Sequence, residues 1–189
     1  MEANEPKKEQ NTEEMDVMKQ FMELMGQQDM KEQSQDFMEV LQYIAGMQLQ
    51  LSAMVDELQE VRKQLEKMQE SQPKAAESQL LDKVSYLQEK VSSLAERLSE
   101  LKDHLIDTAA QAVTAFKEKG KEEMNRVLQK GISSVKSVLS GCREKMVDVL
   151  TSYEKTANQI DSIGDELKQI GNSVANVGRL LTGKGTKEV

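Results

Sequence analysis

FMEVLQYIAGMQLQLSAMVDELQEVRKQLEKM, residues 37–68, repeats two apolar places every seven residues. Phe37, Ile44, Leu51, Leu58 and Leu65 hold one place, and Val40, Met47, Met54, Val61 and Met68 hold the other. No polar residue interrupts either row. A half-buried strand would alternate with period two, so this spacing specifies a helix with a single apolar seam. A straight α-helix turns once in about 3.6 residues, and a 3.5-residue repeat this long keeps facing one neighbour only if the helices wind left-handedly around each other. The pattern predicts a long helix from about Ser34 to Glu70.

Pro73 ends that helix, because proline lacks an N–H and disfavours helical geometry in the residue before it. A second seam follows at Leu80, Val84, Leu87, Val91, Leu94, Leu98, Leu101 and Leu105, flanked by charged residues such as Glu89, Lys90, Glu96 and Arg97. The arms before and after Pro73 have near-equal lengths, each about 55 Å at 1.5 Å per residue. Equal arms about a short break are what an antiparallel hairpin needs, so residues 34–112 are expected to fold back at Pro73. Valine at Val84 and Val91 with leucine at Leu87, Leu94 and Leu101 is also the preference of parallel dimers, and the two arrangements are compatible if hairpins dimerise. Leu87, Leu94 and Leu101 are therefore candidate interaction residues.

The seam fades through residues 109–116 and returns from Leu128 to Leu181 by way of Ile132, Val135, Leu139, Cys142, Met146, Val149, Tyr153, Thr156 and Ile160. Gly131, followed by Ser133 and Ser134, reads as a helix stop and a fresh cap, which predicts a hinge near 131 and a last helix over about 133–182. The extension 113–182 would return along the hairpin, and 183–189 would be a frayed tail. At the other end, residues 1–11 are polar and expected to be disordered. Thr12 then starts a short helix whose Met15, Met18, Phe21, Met22, Leu24 and Met25 share a face, ending near Gly26. So short a helix needs a surface to dock on, either its own bundle or the groove of a partner, and methionine suits both.

Composition agrees with thin helices. Charged residues make up 31%, hydrophobic residues 38% and aromatic residues only 3%, so a thick core is not expected. The fold class that results is all-α: long antiparallel helices with coiled-coil heptads, an elongated hairpin or three-helix bundle plus a short N-terminal helix. Chemistry is scarce. One cysteine, Cys142, excludes an internal disulfide and a cysteine-based zinc cage, and His104 is the sole histidine. These two fall on different predicted helices, and Cys142 occupies a seam place, where it acts as a small hydrophobe. No phosphate-cradling loop is present, since GKGT at 183–186 lacks the upstream glycine and strand. No catalytic residue, cofactor or metal is expected.

The net charge of −8 divides unevenly: residues 1–112 carry −11, 113–150 carry +3, and 151–189 are balanced. An acidic front half does not suit nucleic acid, which needs a concentrated basic face. Residues 113–150 combine excess lysine with an apolar stripe of Val127, Ile132, Val135, Val138 and Leu139 and one Phe116, so peripheral binding to a membrane surface is the alternative reading. The N-terminus has no basic stretch followed by an apolar one, and no apolar run reaches the ~20 residues that span a bilayer, so a cytoplasmic location is expected.

Gly164, Gly171 and Gly178, with Ala157 before them, form a small-residue row beside the last seam. A mid-helix glycine costs roughly 1 kcal/mol relative to alanine, and the repeat at seven suggests close approach of another helix. The expected function is a non-enzymatic structural or interaction protein that self-associates as a homo-oligomer or scaffolds another helical protein through its seams.

QDFMEVLQYIAGM at 35–47 running into LSAM at 51–54, and AFKEKG at 115–120 with IGNSVANVGRLLTGK at 170–184, resemble an uncharacterised family of helical proteins with a domain of unknown function. The resemblance covers about residues 35–184, and its more specific fragments are FKEKG and GRLLTGK. It implies an origin in anaerobic Gram-positive bacteria, in mobile-element neighbourhoods. Family members look longer at the C-terminus, which implies that this chain is a short version. The family has no established activity, so no functional residue is carried over.

Overall fold

A computed structural model describes residues 6–71 and 75–161. They form four α-helices: α1 over Pro6–Gln27, α2 over Lys31–Ser71, α3 over Ala75–Lys119 and α4 over Lys121–Asp161. Among the described residues there is no strand, and the chain is an all-α bundle.

α1 starts earlier than the Thr12 the sequence suggests. Residues 6–11, read as disordered, belong to the helix. Pro6 explains the start, because its fixed φ suits the first helical position and its missing N–H is one that a helix leaves unpaired anyway. α1 ends in a Schellman motif: Met30 N–H donates to Met25 O at 3.1 Å and Asp29 N–H to Gly26 O at 3.4 Å. Asp29 takes the left-handed place at φ 53°, and the two apolar residues that flank the motif, Met25 and Met30, are buried.

The hinge expected near Gly131 is absent. α4 runs unbroken through Gly131, and the turn lies at Gly120, with φ 87°. Gly120 N–H donates to Phe116 O at 2.9 Å, and Met124 N–H already donates to Gly120 O at 3.2 Å, so α4 starts on the residue after the turn. Lys117 and Lys119 in the last turn of α3, and Glu122 and Glu123 in the first turn of α4, put charge where each helix dipole favours it. Of the last helix expected over 133–182, the described part begins at Lys121 and ends at Asp161; residues 162–182, the 183–189 tail and Pro73 lie outside the described residues.

The chain divides into two compact units, one of Met1–Ala45 and Ser99–Ser140, the other of Gly46–Leu98 and Gly141–Val189. In the first, α1 docks on the chain's own helices. The Phe21 and Phe37 rings stand 4.8 Å apart, and Lys121 Nζ donates to Gln28 O at 2.6 Å, capping a carbonyl at the end of α1. α3 answers the extra helix with a wider buried face. Beyond the seam places it also buries Ile106, Ala109 and Val113. That is where its heptad fades in the sequence, because a helix with more neighbours buries more than one stripe.

The second unit is a three-helix bundle. Arg62 of α2 reaches Gln88 of α3 at 3.4 Å, Lys83 of α3 donates to Gln159 of α4 at 2.6 Å, and Glu57 of α2 acts electrostatically on Tyr153 of α4. Arg97 of α3 acts in the same way on Cys142, so residue numbers fall on α3 as they rise on α4 and the two are antiparallel. The seams supply the core: Leu51, Met54, Leu58, Val61 and Leu65, with Leu80, Val84, Leu87, Val91, Leu94 and Leu98, and Cys142, Met146, Val149 and Tyr153, are all buried.

Candidate interaction surfaces

The seam residues are the first candidates. Leu87, Leu94 and Leu101 are 2%, 3% and 5% exposed within a single chain, so a partner reaches them only if the bundle opens. Gly164, Gly171 and Gly178 lie outside the described residues. The stripe in 113–150 faces inward too: Ile132, Val135 and Leu139 are buried, Val127 and Val138 half-buried, and Phe116 half-buried. α1's methionines divide, with Met25 buried and Met15 and Met22 exposed.

His104 is exposed on α3 in the first unit, while Cys142 is buried in the second. Burial pushes the Cys142 thiol up, and Arg97 and Lys145 offset this only in part. The thiol is therefore protonated at neutral pH and a poor nucleophile. Among the described residues no group of three or more His, Cys, Asp or Glu side chains could hold a metal ion. Among the same residues, no helix is long and apolar enough to cross a membrane.

The exposed apolar residues are scattered. Leu49 on α2 is 74% exposed, Tyr86 on α3 carries Lys90 Nζ at 5.2 Å from its ring centre, and Val147 projects from α4. Single apolar residues of this kind are ordinary on a protein surface. A shallow groove of about 410 Å³ in the first unit is lined by Glu32, Asp36, Gln129 and Lys136. The Lys136 ammonium and the Asp36 carboxylate pair with each other there, so their charges are already matched.

Sequence reading missed several features of the interior. Gly131 is buried, and a Cβ on it would stand 3.0 Å from Thr108 Cβ and nearer still to that residue's methyl and hydroxyl. α3 and α4 thus approach closely at this point, and the signal was the glycine itself, placed one residue before the seam's Ile132. Two buried threonines satisfy themselves locally, Thr108 donating to His104 O at 2.7 Å and Thr156 to Ser152 O at 2.9 Å. Two buried oxygens on α4 have no partner: the Tyr153 hydroxyl and Asn125 Oδ1. Asn125 falls seven residues before Ile132, so the heptad spacing could have found it in the seam.

No curated protein and no solved structure matches the chain. Residues 14–189 match a family of unknown function, DUF6674, and the chain belongs to that family.

Proposed function

We propose that this protein is a non-enzymatic helical scaffold that self-associates or holds another helical protein, with no nucleic acid as partner. One observation supports the reading most: the described helices bury apolar side chains almost throughout, with Thr108 and Thr156 as the buried polar residues, and present their charged side chains outward. A chain organised in this way offers rigid helical surfaces rather than a reactive pocket. Light scattering over a range of concentrations tests it. The expected result is a mass above that of one chain, rising with concentration to a plateau; a one-chain mass throughout overturns self-association.

Membrane-surface binding through 113–150 is the competing proposal, and it requires α4 to turn Ile132, Val135 and Leu139 out of the core. Flotation with anionic vesicles at low salt separates the two, and no co-flotation is expected. A bacterial, cytoplasmic setting near mobile genetic elements is also part of this proposal, and it rests on the resemblance of residues 35–47, 115–120 and 170–184.

A further inference from the structure

We propose that Met22 is a site of reversible oxidation by hydrogen peroxide, and that its sulfoxide oxygen accepts a hydrogen bond from Ser34 and fastens α1 to α2. Met22 lies on α1 and Ser34 in the first turn of α2, on either side of the turn at 28–30. The Ser34 hydroxyl donates to Met22 Sδ at 3.9 Å. A thioether sulfur is a weak acceptor, so this contact holds little as it stands. Ser34 itself is fixed in place, because its N–H donates to Met30 O at 3.0 Å. A positioned hydroxyl therefore already faces the atom that oxidation changes.

Exposure sets which methionines react. Met22 is 37% exposed and Met15 70%, whereas Met25 and Met30 are 1% and 2%. Peroxide reaches the first two from solvent. At Met22 a lone pair of Sδ attacks one peroxide oxygen and the O–O bond breaks. That oxygen stays on the sulfur, which is oxidised by two electrons. The other leaves as hydroxide, collects the proton of the first and departs as water. On the buried Met25 or Met30 such an oxygen would be cut off from water and would loosen α1. Met22 differs on both counts. Its oxygen keeps water on the exposed side, and on the other it extends toward Ser34 into the range of an O–H···O bond. Phe21, the next residue in the chain, packs its ring on Phe37 at 4.8 Å, so tightening at Met22 acts beside a buried contact between α1 and α2. Reductases return the sulfoxide to the thioether, and α1 then goes back to its weaker hold.

The test treats the full chain with the lowest dose of hydrogen peroxide that oxidises exposed methionine, beside Met22→Leu, Ser34→Ala and the double variant. Mass spectrometry of peptides locates the added oxygen, and hydrogen exchange of the α1 amides reads how firmly the helix is held. Met15 and Met22 are expected to take up oxygen before Met25 and Met30. The change in exchange that belongs to Met22 is the difference between the unaltered protein and Met22→Leu, which cancels oxidation at other methionines. It is expected to be a slowing of about fivefold, the effect of one net hydrogen bond. Between Ser34→Ala and the double variant that slowing is expected to vanish or reverse. The inference is overturned if Met22 resists peroxide, if its oxidation leaves exchange unchanged or faster, or if the slowing persists without Ser34.

Discussion

Asp29 holds a left-handed backbone at φ 53°, a conformation that favours glycine and tolerates aspartate better than most residues. Its carboxylate also stands at the C-terminal end of α1, where the helix dipole disfavours negative charge, and its ion pair with Lys31 at 3.8 Å is almost fully solvated. Asp29→Gly should therefore stabilise the chain by about 0.5–1 kcal/mol despite glycine's added freedom when unfolded, while Asp29→Ala should destabilise it. Urea melts of the three proteins check the order. Tyr153, by contrast, is fully buried. Its hydroxyl is buried without a partner, and burial first, then the Glu57 carboxylate, push its pKa up. Below about pH 10, the ordinary tyrosine value, it is neutral both folded and unfolded, so its titration adds nothing. Above that pH the unfolded chain gives up a proton that the folded chain keeps, and stability falls. Tyr153→Phe should gain about 1 kcal/mol at neutral pH by removing the orphaned hydroxyl. It should also lose less stability than the unaltered protein between pH 9 and 11, and equal losses would refute the assignment.

At the scale of the helix, three glycines of the same chemistry behave differently because their surroundings differ. Gly120 supplies the positive φ that ends α3, so Gly120→Ala strains the turn. Gly46 lies inside α2 with nothing within 4 Å of an added Cβ, so Gly46→Ala should stabilise by up to about 1 kcal/mol through helix propensity alone. Gly131 also lies inside a helix, but the added Cβ meets the Thr108 side chain, and 3.0 Å from its Cβ is too close for rotation to relieve. Overpacking costs about 1–3 kcal/mol, which outweighs the propensity gain, so Gly131→Ala should lower the melting midpoint and Thr108→Ala in the same chain should restore part of it. These glycines also show how far the sequence is legible. The seams of α2 and α3 can be read directly, because burial on one stripe of a helix spaces apolar residues three and four positions apart. The turn at Gly120 is legible in KEKGKEE, with lysines closing one helix and acids opening the next, whereas Gly131 with Ser133 and Ser134 offers a stop-and-cap signal where the helix runs on. Close packing and chain reversal both call for glycine, and a one-dimensional pattern cannot separate a missing side chain from an unusual φ. The three-helix register was not legible, since which edges meet depends on pairs such as Lys83 and Gln159, 76 positions apart.

For the whole molecule, the question is which apolar surface belongs to the fold and which to assembly. The repeat reads the same in both cases, because a seam facing a neighbour in its own chain and a seam facing another chain need the same side chains at the same spacing. Burial separates them. Leu94 is 3% exposed in the single chain, so its side chain belongs to folding. Leu94→Ala should accordingly cost about 2–5 kcal/mol through lost burial and the cavity left behind. The more telling property is how that cost varies with concentration. Bonds within one chain contribute equally at every dilution, whereas bonds between chains weaken by mass action as the protein is diluted. The lowering of the melting midpoint by Leu94→Ala should therefore be the same at micromolar and at hundredfold higher concentration. A lowering that grows on dilution would place Leu94 between chains. The midpoint of the unaltered protein should itself rise with concentration if copies join, so comparing the two series tells burial within the chain from burial between copies.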